Sequence, residues 1–167
     1  MTPVISPPVS ETRIDIPEVV RVKLIALLNQ ALATALDLKT QVKSAHWNVK
    51  GPSFQSLHEL FDVLAGELED HIDTLAERAT ALGGVALGTA RLAVQASILP
   101  EYPLDARKGL DHVTALAQRY ALFAKQLRDF IDEADELDDD GTQDLFTEVS
   151  RSIDKRLWFL EAHLQER

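Results

Sequence analysis

His58 and Asp62 stand four residues apart, and Asp73 and Glu77 repeat that interval, with Asp73 eleven residues beyond Asp62. Imidazole and carboxylate donors without a thiol suit iron, zinc or manganese, and two carboxylates can stabilise the ferric product of an iron oxidation. At 100° per residue, Asp62 and Asp73 differ by about 20° around a helix axis and His58 and Asp73 by about 60°, so the four share one face. They do not share one site. Eleven residues rise about 16 Å, whereas a ligand atom sits about 2 Å from its ion. One helix therefore supplies two half-sites. A two-fold axis crossing it near residues 67 and 68 would lay a second copy antiparallel, His58 and Asp62 of one chain against Asp73 and Glu77 of the other. Gly66 sits near that crossing, where a missing side chain lets two helices approach. Charged pairs at i, i+4 are ordinary on surface helices, so the reading rests on all four residues together, interleaved with core leucines and centred on a glycine.

The elements that must position these residues are helices. Asp15 with Glu18 reads as a capping box around Pro17, and Val20, Leu24, Leu27, Leu28, Ala31, Ala35, Leu38 and Val42 recur at helical spacing as far as Trp47 or Asn48. "KGPS" breaks the chain, and Ser53 is placed to cap a second helix. That helix runs through Leu57, Phe61, Leu64, Leu68 and Leu75 to a stop at Gly83 and Gly84, about thirty residues or roughly 45 Å. The stretch from Val85 to Pro103 is long, with a short helix expected around Thr89 to Ser97. It suits a crossover between parallel helices, which predicts an all-α, ferritin-like four-helix bundle. A third helix is expected from Asp105, with Leu116, Tyr120, Phe123 and Leu127 on its apolar side. The acidic run "DEADELDDDGTQD" ends it, and a fourth helix follows from about Thr142, with Phe146, Val149, Ile153, Leu157 and Leu160 facing inward.

Composition narrows the function. The 167 residues are 46% hydrophobic, enough for one bundle domain over residues 15–167 behind a flexible tail, residues 1–14. A net charge of -10 makes cations the natural partners and leaves nucleic acid dependent on a local basic patch. The absence of cysteine excludes disulfides, thiolate metal sites and cysteine nucleophiles. "MTPVISPPVSETRIDIP" lacks the pattern of a signal peptide, and no later run reads as apolar enough for a membrane span, so a cytoplasmic protein is expected. Among the other histidines, His71 lies about 200° from Asp73 and faces elsewhere, while His112 and His163 are expected to be exposed.

"KSAHWNVKGPSFQSLHELFDVLAGELEDHIDTLAERATALGGVALGT" resembles the signature region of the Dps family of miniferritins, and "SIDKRLWFLEAHL" resembles that family's closing helix. The likeness covers the chain beyond the tail. It implies a homododecameric cage that oxidises Fe(II), with hydrogen peroxide or oxygen, and stores the Fe(III) mineral. It also implies ferroxidase ligands at His46, His58 and Asp62 from one subunit and Asp73 and Glu77 from its two-fold mate, with zinc as a competitor for iron. Lys43 and Trp47 match family positions beside that centre, the lysine holding a ligand and the tryptophan quenching radicals or simply packing in an interface. The family further implies an acidic three-fold pore around the start of the last helix, for which Asp139, Asp140 and Asp144 are the candidates. Asp140 and Asp144 are also favourable to the helix dipole without any function, whereas Asp135, Glu136 and Asp138 stand at the wrong pole of the third helix for negative charge.

DNA binding departs from the family's best-known members. Arg13 is the only basic residue before Arg21, and the chain closes on "LQER" without a basic extension. Weak or absent DNA binding is therefore expected. The competing reading is a nucleoid-associated structural protein with little ferroxidase activity.

Overall fold

The computed structural model describes residues 7–165, which form α1 (Glu18–Asn48), α2 (Phe54–Ala81), a short α3 (Ala90–Ala96), α4 (Gly109–Glu136) and α5 (Asp140–Ala162). A tight turn at Gly51, whose φ of 111° favours glycine, folds α2 back along α1. The start of α4 then meets the same end of the bundle: an isolated parallel bridge pairs Lys50 with Lys108, and a Cβ on Gly109 would fall 2.5 Å from a methyl carbon of Leu57. The N-termini of α2 and α4 thus lie together, and these helices run parallel. The long stretch between them is the expected crossover, with α3 lying on α1. α5 returns antiparallel, its first turn meeting the end of α2 through Arg78 and Asp139. The arrangement is the ferritin-like one.

The interior is built by the predicted stripes. Leu28, Leu38, Phe61, Leu64, Tyr120, Phe123 and Phe146 are fully buried. Removing one such ring, as in Phe61→Ala, deletes transfer energy and leaves a cavity, at about 3–5 kcal/mol. Contrary to the expectation from apolar runs, α1 is by length and composition apolar enough to cross a membrane; just over half of that apolar window is buried within the bundle. His112 is buried rather than exposed, since α4 turns it beneath the loop that carries Tyr102. His163 is exposed, as expected.

The caps differ from expectation in instructive ways. No Asp15 and Glu18 box forms. Pro17 takes the N-cap position with extended ψ, and its own carbonyl receives the Val20 and Arg21 N–H groups. Ser53 holds the α2 N-cap position, but its side chain makes no capping bond. α4 starts at Gly109 rather than Asp105, because Lys108 is kept extended by its bridge to Lys50 and by the Asp111 carboxylate, which accepts its N–H at 2.9 Å. α5 starts at Asp140, the Asp139 carbonyl accepting from Thr142 and Gln143. α2 ends as the two glycines suggest. Gly83 is left-handed at φ 88°, its N–H bonds the Thr80 carbonyl and the Gly84 N–H that of Ala79, a Schellman motif. α4 ends identically on Asp138, at φ 55°, so one of the carboxylates at the unfavourable pole is there for its backbone conformation.

Of the segment read as a tail, residues 1–6 lie outside the described residues. Residues 7–14 carry no helix, and Val9 and Ile14 pack against the core. The Ser10 N–H donates to Gly83 O at 2.7 Å. Buried Arg21 donates to the carbonyls of Ile16 at 3.1 Å, Ser10 at 3.2 Å and Leu82 at 2.7 Å, tying this segment to the turn after α2. Arg21→Met keeps the stem but leaves three carbonyls without that donor. We expect a loss of about 2–3 kcal/mol in urea unfolding, with faster amide exchange at Ser10. An unchanged midpoint would contradict this role.

Candidate metal centre

The short turn between α1 and α2 lays the last turn of one helix on the first turn of the next, and His46 and His58 meet there. Their rings stack with centroids 3.7 Å apart. His46 Nδ1 lies 2.8 Å from the His58 carbonyl oxygen, and His58 Nδ1 lies 2.9 Å from the His46 carbonyl oxygen. A carbonyl can only accept, so each Nδ1 carries the hydrogen. In the neutral rings both Nε2 atoms then keep their lone pairs. This reciprocal clasp fixes tautomer and ring orientation in the manner that outer-shell partners do for metal-binding histidines.

Asp62, one turn along α2, joins them. Its Oδ1 is 4.0 Å from His46 Nδ1 and accepts a 2.8 Å hydrogen bond from Lys43 Nζ. The Lys43 hydrogen bond and charge hold the Asp62 carboxyl below its ordinary pKa of 3.8, so it is ionised at neutral pH. Lys43 also sits 5.8 Å from the centroid of the Trp47 ring, and that ring is 70% exposed.

Asp73 and Glu77 are exposed on the same helix, and among the described residues neither carboxylate makes a hydrogen bond or ion pair. No three His, Cys, Asp or Glu side chains come together within the described residues in a way that could hold a metal ion. One chain therefore keeps the two candidate ligand sets apart. Between them Gly66 is exposed, and a Cβ built there would meet nothing within 4 Å. His46, the one ligand candidate on another helix, is outside the reach of single-helix periodicity. The signal that finds it is the length of the turn, which sets the ends of two helices in register.

The acidic turn between α4 and α5 separates its candidates. Asp139 points inward, 6% exposed, with both carboxylate oxygens on Arg78 Nη2 at 3.0 and 2.9 Å and the Thr142 hydroxyl donating to it. Its carboxylate is an internal tie between α2 and α5. Asp140 and Asp144 remain exposed. Asp135 accepts from Gln143 Nε2 at 3.1 Å, which gives one wrong-pole carboxylate a structural partner across the turn. His71 is half-buried, its Nε2 has no hydrogen-bond partner, and burial depresses its pKa against the opposing pull of Glu67, Glu148 and Asp70.

Burial raises the Asp139 pKa, but the Thr142 and Arg78 hydrogen bonds and the guanidinium charge more than offset it, so the net direction is down from 3.8. A depressed carboxylate contributes stability above its unfolded pKa and loses it as the pH falls through the folded value. Arg78→Gln should therefore cost about 1.5–3 kcal/mol at pH 7, with the deficit shrinking below pH 3.8. A deficit independent of pH, measured by urea titration at pH 7 and pH 3, would show that the charge plays no part.

A ferritin-like domain model matches residues 25–167. The chain is 45% identical to the DNA protection during starvation protein of Agrobacterium fabrum, over 94% of this chain and 97% of that one. Among solved structures it resembles DpsC from Streptomyces coelicolor, with a TM-score of 0.91 and 32% identity over 95% of this chain and 93% of that one. It also resembles a Vibrio cholerae Dps protein described as a member of a broad superfamily of ferritin-like diiron-carboxylate proteins, with a TM-score of 0.87 and 27% identity over 96% of this chain and all of that one. The crossover fold, the A-H-W-N and L-H-x-x-x-D elements that form the histidine clasp, and these likenesses place the chain in the Dps family of ferritin-like proteins.

Proposed function

We propose that this protein is an iron-storing miniferritin that oxidises Fe(II) at sites shared between two subunits, with iron as substrate and cargo. The observation that carries the reading is the reciprocal bonding of His46 and His58 through Nδ1, which leaves their Nε2 atoms free for a metal, with an ionised Asp62 one turn along α2. The second half of each site is Asp73 and Glu77 of a two-fold mate. Support comes from the separation of the half-sites along α2, about 16 Å by helical rise, and from the open space at Gly66 where two copies of α2 would cross. Dps membership favours a closed cage of twelve subunits around a ferric mineral.

In this reading the donors divide their work. The histidines bind ferrous iron without adding charge, and the carboxylates of both subunits favour the ferric product. Lys43 holds Asp62 in place until a divalent cation competes for it. Hydrogen peroxide takes one electron from each of two ferrous ions and two protons from solvent, leaving as two water molecules. Two electrons delivered together release no hydroxyl radical, and this is the chemical content of a protective role. Zinc fits the same nitrogen and oxygen donors and would inhibit by occupying them. The exposed Asp140 and Asp144 are candidates for drawing iron to the cage by the field of clustered carboxylates, and Trp47 for lying against the second subunit.

The shared site has a direct test. His58→Ala with Asp62→Ala disables one half, and Asp73→Ala with Glu77→Ala the other. Each double variant alone should oxidise Fe(II) with stoichiometric peroxide at the uncatalysed rate, followed by ferric absorbance, with the oligomer intact. Co-expressed and purified as mixed oligomers, the two recover activity, because each mixed pair contains one site whose four altered positions are all native. Equal rates in wild type and both variants would remove the ferroxidase assignment. Inactive mixed oligomers would place the site within one chain.

A further inference from the structure

Tyr102, on the crossover, and His112, in the first turn of α4, form a hydrogen-bonded pair whose tautomer the surroundings fix. The Tyr102 hydroxyl lies 2.7 Å from His112 Nδ1, and the imidazole is 1% exposed. The ring is also hydrogen-bonded to the Asn48 main chain, a contact that favours its protonated form and in which the ring therefore donates to a carbonyl. Burial outweighs this contact and the Asp111 charge, so the ring is neutral at physiological pH. A neutral ring carries one hydrogen. With that hydrogen on the Asn48 side, Nδ1 is a bare acceptor and the Tyr102 hydroxyl donates to it. Burial pushes the Tyr102 phenol up to about 12, so it keeps its proton at neutral pH. The Arg119 guanidinium lies 5.5 Å from the centroid of the phenol ring.

A phenol in this setting gives up an electron together with its proton. Electron loss alone would leave a cationic ring against the Arg119 guanidinium. Passing the proton to His112 leaves a neutral phenoxyl radical, and the imidazolium so formed is stabilised by the Asp111 charge and the Asn48 carbonyl. Arg119 also donates to the Glu101 carbonyl at 2.7 Å, which pins the loop beside the ring. The pair adjoins the proposed iron site. Ser44 and Asn48 stand one turn apart on α1 and line one cavity with Tyr102 and His112. His46, between them in sequence, turns to the other side of that helix, about 10 Å away. A bonded route crosses this distance: from Tyr102 to His112, from His112 to the Asn48 main chain, and two residues of α1 back to His46.

We propose, resting on the ferroxidase reading, that Tyr102 and His112 form a one-electron donor that disarms peroxide when a single ferrous ion, rather than a pair, meets it. One ferrous ion gives peroxide one electron, leaving ferric iron, hydroxide and a hydroxyl radical. Tyr102 gives that radical one electron and His112 Nδ1 takes the phenol proton. The products are a second hydroxide, a phenoxyl radical and an imidazolium. The next ferrous ion becomes ferric by returning an electron to the phenoxyl, and His112 returns the proton. The sum is two ferric ions and two hydroxides from one peroxide, the stoichiometry of the paired reaction once solvent protonates the hydroxides. The tyrosine stands in for the absent second iron.

The test uses the assembled, full-length protein with one ferrous ion per site and excess peroxide, freeze-quenched for electron paramagnetic resonance. A tyrosyl signal is expected. The chain has two tyrosines, so the signal should be lost in Tyr102→Phe and kept in Tyr120→Phe. His112→Gln, which can accept from the hydroxyl but takes no proton at neutral pH, should lose most of it. A spin trap should capture more hydroxyl radical from Tyr102→Phe than from the wild type. No tyrosyl signal, a signal that survives Tyr102→Phe, or equal trapping would each overturn the proposal. Iron-free protein separates this outcome from that of the ferroxidase test. With azide radical from pulse radiolysis as the one-electron oxidant, phenoxyl absorbance should form in the wild type, form more slowly in heavy water, and be lost in Tyr102→Phe. Formation at the same rate in heavy water would remove the proton transfer to His112 and with it the proposal.

Discussion

A regular helix holds residues eleven apart about 16 Å apart, and no side chain reaches across that interval to a common ion. This rigidity governs the centre. α2 is continuous from Phe54 to Ala81, so His58 and Asp62 belong to one end of it and Asp73 and Glu77 to the other. Larger ferritin-like bundles collect their ligands on facing helices of one chain. Here the facing positions inside the bundle are filled by Phe61, Tyr120, Phe123 and Phe146, all fully buried, while Asp62, Asp73 and Glu77 are exposed on the outer side of α2. A packed aromatic interior leaves no room for ligands on facing helices of one chain, which is why the centre proposed above is shared between chains.

A set of guanidinium ties crosses the bundle and joins its elements. Arg21 holds the turn after α2 to the N-terminal segment. Buried Arg119 donates to Gln41 on α1 at 2.6 Å and to the Glu101 carbonyl at 2.7 Å, fixing the crossover. Arg78 joins α2 to Asp139 at the head of α5, and Arg156 joins α5 to Glu67 near the middle of α2. The planar fork, which serves several acceptors at once, suits these positions better than a lysine would. Exposed pairs such as Lys125 with Asp129 contribute far less. Of these arginine ties, the two on α2, at Glu67 and Arg78, flank the turns that carry Asp73 and Glu77.

The sequence shows the helices, the crossover and the half-site face clearly because each follows from periodicity within one element. Leu57, Phe61, Leu64, Leu68 and Leu75 declare the buried side of α2, and the outer side follows by subtraction. Relations between elements are less visible. His46 and His58 meet only because the turn around Gly51 is short enough to set helix ends side by side, and their reciprocal bonds to main-chain carbonyls leave no mark in residue type. His112 reads as a surface residue until Tyr102 is brought over it by a loop. Asp139 reads like its acidic neighbours, and what distinguishes it is Arg78, sixty-one residues earlier. The helix starts at Gly109 and Asp140 are displaced from Asp105 and Thr142 for the same reason: contacts from other elements decide where the backbone becomes helical.

Charge is sorted along the bundle as well as across it. The acidic run closes α4 and opens α5, at the end where α2 finishes, while Lys50, Arg107 and Lys108 cluster where α2 and α4 begin. A helix of 28 residues sets these ends about 40 Å apart, several Debye lengths at physiological ionic strength, so neither cluster neutralises the other. The helix dipole would favour the opposite assignment at the end of α4, where carboxylates face a negative pole. At the start of α4 the cations face a positive pole and repel one another as well. Local contacts account for Asp135, Asp138 and Asp139, while the cations at the other end make no ion pair among the described residues. Each cluster concentrates potential in a small volume, negative at one end of the bundle and positive at the other.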